Sequence, residues 1–339
     1  MRAHRGIALA TTGLAAALAL TGCATDPAAE EGTLTVYIGR DEALVGPLIE
    51  RFEEETGIDV EARYAATPEL AALLLEEGDR TPAQVFLSQD AGALGALADA
   101  GLEATIPAEL ADLIPDGFTS QDDSWIGVTG RARVIAYDGE QLAEADVPDT
   151  VDALTGEEWK GEVAFAPGNA SFQAFVTALR VLEGEDAAAE WVAGMAANDP
   201  ELTENNLATL DLVNNGQVQL GLINHYYWYR QAAEVGADNM RAQLKFLPGD
   251  PGGIVNVTGA AILKNAADDP EARAFVEFLV SEEAQRYFVE ETFEYPLLPG
   301  IDAPEGLPAL ESLVNPGLDL SDLESVGESQ RLLADNGLI

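Results

Sequence analysis

The chain has 339 residues and a formal net charge of −43, from 60 acidic against 17 basic side chains, with a single cysteine. A surface this acidic repels nucleic acid and anionic membranes, which excludes both as charge-driven partners, and one cysteine excludes a disulfide framework. Only three lysines occur, Lys160, Lys245 and Lys264, and an acidic, lysine-poor surface suits high external salt, which screens its self-repulsion.

Arg2, His4 and Arg5 form a short basic region ahead of the uncharged run Ile7 to Leu20. That run is too short for a stable membrane span and right for a secretory signal. It ends in Leu20-Thr21-Gly22-Cys23, which resembles a bacterial lipobox. Residues 1–22 are therefore expected to be a lipoprotein signal peptide, Cys23 the lipidated residue and residues 23–32 a flexible tether. The plainer alternative is an ordinary secretory signal with an incidental cysteine. Cleavage removes Arg2 and Arg5 and no acid, leaving −45. The expected location is extracytoplasmic, lipid-anchored to the outer face of the cell membrane.

Thr33 to Ile38 alternates and is rich in β-formers, so it reads as a strand. Gly39-Arg40-Asp41-Glu42 is a turn opening a helix, with an apolar stripe at Leu44, Val45, Leu48, Ile49 and Phe52 and a stop at Gly57. A second strand follows over Ile58 to Tyr64, a helix over Pro68 to Glu77, and a buried strand over Ala83 to Leu87. This βαβαβ rhythm predicts a parallel sheet covered on both faces. It returns with a strand at Gly161 to Ala166, a helix at Ser171 to Leu182 and a strand at Val218 to Ile223. Ile254 to Leu263 is β-like, and Pro270 to Glu290 has the period of one long amphipathic helix.

Ligands of open α/β sheets sit beyond the carboxyl ends of strands. Four segments stand there: Gly39–Glu42, Ser88–Gly92, Gly168–Phe172 and Asn224–Tyr227. The last opens the run Asn224-His225-Tyr226-Tyr227-Trp228-Tyr229-Arg230. Paired phenols are hard oxygen donors suited to a trivalent cation. They converge on one ion only if the backbone turns from strand to helix between them and the preceding run. An aromatic core cluster explains the same residues, and the run alone does not decide between the two.

Leu34 to Arg40, Thr81 to Phe86, Gly127 to Arg133, Asn224 to Tyr227 and Glu291 to Leu297, in this order, resemble the periplasmic solute-binding proteins of ABC transporters. The branch is the one that binds ferric ion. The resemblance implies an α/β, two-lobed periplasmic-binding-protein fold of type II, each lobe a mixed sheet flanked by helices, with the ligand cleft between lobes. It implies an N-terminal lobe of 33–131 plus 257–306 and a C-terminal lobe of 132–256 plus 307–339.

By resemblance, Tyr226 and Tyr227 are phenolate ligands of Fe3+. Relatives place a histidine about where Asp41 stands and a glutamate where this chain has Gln89 followed by Asp90. Asp41 is then a carboxylate ligand or a helix N-cap, and Gln89 a weak amide ligand. Two phenolates leave a trivalent ion undercharged, so a synergistic carbonate, phosphate or citrate is expected. Asn169, Ala170 and Ser171, at a strand-to-helix junction with free N–H groups, would hold it with Asn224. Arg131 or Arg133 would reach toward it, and Asn205 and Asn206 either line the site or form an ordinary turn.

The resulting expectation is a monomeric, lipid-anchored receptor that captures Fe3+ or a small ferric chelate and delivers it to an ABC permease, without catalysis. Two other readings compete: a receptor for a small oxyanion or organic ligand, and a secreted metal-dependent hydrolase. His4 and His225 cannot build a zinc site, and neither a phosphate loop nor a nucleophile elbow occurs. Asp122-Asp123, Glu53 to Glu55 and the acids of Asp319 to Glu328 read as solvated surface.

Overall fold

The computed structural model describes residues 33–315 and 317–339; the signal peptide, Cys23 and the tether lie outside them. Among the described residues no helix is long and apolar enough to cross a membrane.

In chain order the first elements are β1 (Thr33–Ile38), α1 (Glu42–Thr56), β2 (Asp59–Tyr64), α2 (Thr67–Glu77), β3 (Val85–Ser88), α3 (Ala91–Asp99), α4 (Ala108–Ala111) and β4 (Ile126–Asp138). There follow β5 (Val163–Phe165), α5 (Ala170–Glu183), α6 (Glu185–Ala197), β6 (Glu201–Leu202), α7 (Asn206–Asn214), β7 (Leu220–Asn224), α8 (His225–Val235) and β8 (Ala242–Phe246). The last are β9 (Val255–Ile262), α9 (Pro270–Leu279), α10 (Glu282–Tyr287), β10 (Tyr295–Pro296), α11 (Leu310–Leu313) and α12 (Val326–Asp335). The stripe predicted on α1 is buried at Leu44, Val45, Leu48, Ile49 and Phe52, and Gly57 ends the helix at φ 75°, where a Cβ would be strained.

The strands run in the order β2-β1-β3-β9-β4-β7-β5-β6, with β8 and β10 both added to β4. β1 pairs in parallel with β2 and β3, as the βαβαβ rhythm requires. The sheet turns mixed beyond β3, because β9 returns antiparallel to it. β4 is buried along its whole length, and it changes partners midway. Ile126 to Ala132 pair with β9 and β10, while Arg133 to Asp138 pair with β7 and β8. One continuous strand thus carries side chains at the junction of two groups of strands.

The single helix expected over Pro270 to Glu290 is instead broken. α9 stops at Leu279, Ser281 caps α10 by accepting from the Ala284 N–H, and Phe288–Thr292 form a π-helical turn. The apolar period survives the break, which is why the sequence does not announce it. The break places the buried Gln285 amide where Nε2 donates to Val128 O and Oε1 accepts from Leu297 N, and a buried amide left unpaired is costly. The C-terminal segment also departs from a simple surface tail. Asp322, Glu324 and Glu328 are exposed as expected, but Leu320 and Leu323 are buried. A Cβ on Gly92 of α3 would stand 2.8 Å from Leu323 O, so this helix is shaped for close backbone approach.

Candidate functional site

The buried strand β7 passes into α8 without an intervening residue, so Tyr226 and Tyr227 occupy the first helical turn. Adjacent side chains there diverge by about 100° rather than pointing to opposite faces. The two rings stack with centroids 4.2 Å apart and planes 27° apart. Both line a cavity of about 430 Å³, whose other walls come from Gly39 to Glu42, Thr67, Gln89, Gly168 to Ala170, Glu204, Asn205 and Arg230. All four strand-end segments therefore contribute to one cleft.

The phenols are poised differently. Tyr226 is fully buried, and its hydroxyl is shut off from solvent without a hydrogen bond to any described residue. Burial raises its pKa, while Arg40 pulls it back and Glu294 opposes Arg40. Tyr227 is pushed well above the usual phenol value by burial, then by the neighbouring Tyr226 and by Asp41. Neutral phenols in this setting lose their protons only to a strong cation. Among the described residues no group of three or more His, Cys, Asp or Glu side chains is placed to hold a metal; the hard oxygen donors lining this cavity include the two phenols and the separate carboxylates of Asp41, Glu42 and Glu204.

Behind the tyrosines lies a concentration of hydrogen-bond donors. Ser171 Oγ accepts from Asn224 Nδ2 at 3.0 Å, Arg131 Nη1 at 3.3 Å and Gln89 Nε2 at 3.3 Å. Three donors meet one hydroxyl that has two lone pairs. Further donors nearby have no acceptor among the described residues: Arg131 Nε, both Arg133 Nη atoms and Asn256 Nδ2. Arg133 lies 5.5 Å and 5.6 Å from the ring centres of Phe172 and Phe175, and burial draws its pKa down to about 9. Asn169 caps α5 through its side chain, which accepts from Ser171 N. Among the described residues this wall is short of acceptors, the condition under which buried donors favour an anion.

The remaining expected residues separate. Asp41 is exposed at the N-cap position of α1 with no capping bond from its side chain, and it faces the cavity. Gln89 is half-buried, its amide spent on Ser171. Asn205 lines the cavity while capping α7 through Ala208 N. Asn206 is buried outside the lining, its Nδ2 without a partner among the described residues. His225 turns away from the cavity into the core. Its Nδ1 accepts from Ala132 N at 3.1 Å, which leaves Nε2–H to donate to Phe293 O at 2.9 Å. Burial lowers its pKa to about 4, so it is a neutral structural histidine.

Arg40 and Glu294 carry a role that the residue pattern did not single out. Their buried ion pair closes at 2.5 Å, with Thr258 accepting from Arg40 and Thr129 donating to Glu294. Arg40 also lies 5.8 Å over the Tyr226 ring. Burial favours neutral Glu294, but Arg40 beside it outweighs this and holds the carboxyl below its usual range. A lone acid inside Phe293-Glu294-Tyr295-Pro296-Leu297-Leu298, and a lone arginine one glycine past an apolar strand, were the available signals of burial.

The model of the family described as bacterial extracellular solute-binding protein matches residues 80–316. The major ferric iron-binding protein of Neisseria meningitidis serogroup B is 34% identical over 311 residues, 90% of this chain and 93% of that protein. The structure of iron-bound HitA from Pseudomonas aeruginosa shares 35% identity with a TM-score of 0.85, covering 90% of this chain and 99% of that one. A Trichodesmium protein (IdiA, FutA), solved in complex with iron and citrate ligands, shares 27% identity with a TM-score of 0.77, covering 91% and 100%. With a matching family model and relatives aligned almost end to end, the chain belongs to the bacterial extracellular solute-binding proteins and has their two-lobed type II α/β fold.

Proposed function

We propose that this chain captures ferric ion outside the cytoplasm, together with an oxyanion, and delivers it to an ABC permease without making or breaking covalent bonds. The observation that carries the reading is the stacked Tyr226–Tyr227 pair on the first turn of α8, facing a cavity with no other hard-donor cluster among the described residues. The ferric relatives and the iron-bound neighbour support it. In this reading Fe3+ is cargo, and Tyr226 and Tyr227 bind it as phenolates. Asp41 supplies a carboxylate oxygen when the lobes close, and Gln89 serves mainly as a hydrogen-bond donor.

The acceptor-poor wall of Asn169, Ala170, Ser171, Asn224, Arg131 and Arg133 holds the anion, with Asn205 at its edge and Asn206 behind. The citrate in the Trichodesmium complex favours a small carboxylate or a comparable oxyanion such as carbonate or phosphate. In this reading the lobes are 33–131 plus 257–306 and 132–256 plus 307–339, a division supported by the change of β4 partners between Ala132 and Arg133; the C-terminal segment packs against α3 as well as α5. The chain works as a monomer tethered by lipid on Cys23.

Adding ferric citrate to metal-free protein tests the reading. A tyrosinate-to-iron charge-transfer band should appear in the visible spectrum and be lost in Tyr226→Phe and Tyr227→Phe. A colourless protein that binds phosphate or sulfate tightly would instead establish an oxyanion receptor, the second reading that the donor excess around Ser171 favours.

A further inference from the structure

We propose that Arg180 is a positioning residue for ferric retention: it fastens the C-terminal segment 320–335 to α5, and the fastened segment clamps α3, so that iron leaves only when the clamp lets α3 go. The inference rests on the ferric reading above and concerns the rate at which that site opens.

The segment is a short 3-10 turn, Leu320–Ser325, followed by α12. Gln173, Thr177 and Arg180 recur on α5 at helical spacing, which puts them on one face of the helix. All three are buried, and each meets the segment. Gln330 Nε2 donates to Gln173 Oε1 at 2.9 Å, and Ser329 Oγ lies 2.8 Å from Thr177 Oγ. Arg180 Nη1 donates to Ser325 O at 2.8 Å, to Ser325 Oγ at 3.2 Å and to Ser329 Oγ at 3.1 Å. Its Nε and Nη2 donate to the exposed Glu185. Parting this seam would strand buried polar groups, which is costly.

The seam with α3 is of another kind. Glycines stand where the segment comes closest: a Cβ on Gly92 would lie 2.8 Å from Leu323 O, and one on Gly95 3.0 Å from Glu324 Cβ. Among the described residues no side-chain hydrogen bond joins α3 to the segment. The polar bonds beside this seam, from Gln121 N to Ser321 Oγ at 3.3 Å and from Gln121 Nε2 to Asp319 at 3.1 Å, are exposed, so water can replace them. A cavity of about 200 Å³ between α2 and α3 on one side and α5 and α12 on the other leaves the junction incompletely packed.

Both seams govern the cleft because both helices begin at it. Gln89 directly precedes Asp90, the cap of α3, and Ser171 is the second residue of α5. Gln89 Nε2 reaches Ser171 Oγ at 3.3 Å, so the segment grips α3 while the two lips of the cleft touch. In the lobe division above, α3 belongs to one lobe and α5 with the segment to the other. When the lobes part, the segment stays on α5, where its polar bonds are buried. It comes off α3, where glycines let it lie close without fastening it. Arg180 touches neither metal nor anion and acts on retention only through the segment.

Each protein is loaded from ferric nitrilotriacetate, and iron release is read in stopped flow as decay of the visible band on mixing with a saturating competing chelator. Arg180→Met removes the anchor, and Gly95→Met wedges the segment off α3. Each should speed release at least about fivefold, the effect of about one buried hydrogen bond on an equilibrium, with the wavelength of the band unchanged. The double variant should release iron no faster than the faster single variant, because both changes undo one clamp. Arg180→Lys keeps a donor for Ser325 O and should restore slow release at least in part. Thermal unfolding confirms that the variants fold, and Arg180→Gln and Gly95→Leu stand in where a methionine variant does not. Release at the original rate despite a lowered unfolding temperature makes Arg180 merely structural and overturns the proposal. Single effects that multiply in the double variant overturn it too, and in both cases ferric capture stands. No visible band in the unmodified protein overturns the ferric reading and this inference together.

Discussion

The wall of the cleft made by α8, β4 and the start of α5 buries Tyr226, Asn224, Ser171, Arg131 and Arg133 almost completely, whereas the turns after β1 and β3 present Asp41 to solvent and Gln89 half-buried. The first wall holds its groups in place before any ligand arrives, with their side-chain entropy already lost in folding. The second leaves Asp41 in solvent, with its side-chain entropy still to be lost on ligand capture. Under the proposed function this difference assigns recognition to the buried wall and closure to the exposed one, and it ranks the residues by what their loss should do.

The largest effect is expected at the phenols. Tyr227→Phe should weaken ferric binding by more than about 100-fold, since even outer-sphere partners of a metal site are worth about 10- to 100-fold. Chelator competition at the visible band measures this, and a loss no larger than that of an Asp41 variant would erase the distinction between the walls. Next comes the pair beneath Tyr226. Arg40→Met strands Glu294 in the interior and should cost about 3–5 kcal/mol of stability. Arg40→Met combined with Glu294→Met should recover most of that in urea unfolding. Equal losses in the single and double variants would mean that the ion pair itself, rather than a stranded charge, holds this region.

The core side of the tyrosine run responds to pH instead of cargo. His225 has a folded pKa of about 4, below its unfolded value of about 6.5. Below that unfolded value the denatured chain binds a proton that the folded core refuses. Stability of the metal-free protein is therefore complete above about pH 6.5 and falls as pH drops toward 4, by about 3 kcal/mol in all. His225→Gln should flatten this window in chemical denaturation series; an unchanged pH slope would contradict the buried neutral histidine. The smallest effects belong to the closing wall. Asp41→Asn and Gln89→Ala should each change ferric affinity by less than about tenfold, and stopped-flow release should show the change as faster loss of iron. A loss matching that of Tyr227→Phe would promote Asp41 to a principal ligand.

Local order was legible wherever one period dominated. The α1 stripe, the parallel strands β1 to β3 and the strand leading into the tyrosines all follow from alternation and helical spacing. The break at Val280 and Ser281 was not, because the apolar period of α9 and α10 runs straight through it and only the Gln285 bonds to Val128 and Leu297 require it. Arg40 and Glu294 are 254 positions apart, and no local pattern joins two isolated charges across that distance.

By itself the sequence determined that paired phenols follow directly on a buried strand, that the chain carries a large negative charge, and that residues 1–22 have the composition of a secretory signal. These are properties of neighbouring residues or of totals, and they need no fold. Only the tertiary structure decided which polar groups are buried and which find partners. It turned His225 into the core while leaving Tyr226 and Tyr227 facing the cavity, paired Arg40 with Glu294, and left Arg133 without a counter-ion among the described residues. Burial and pairing set the energy of a charge, and both depend on residues far away in the chain.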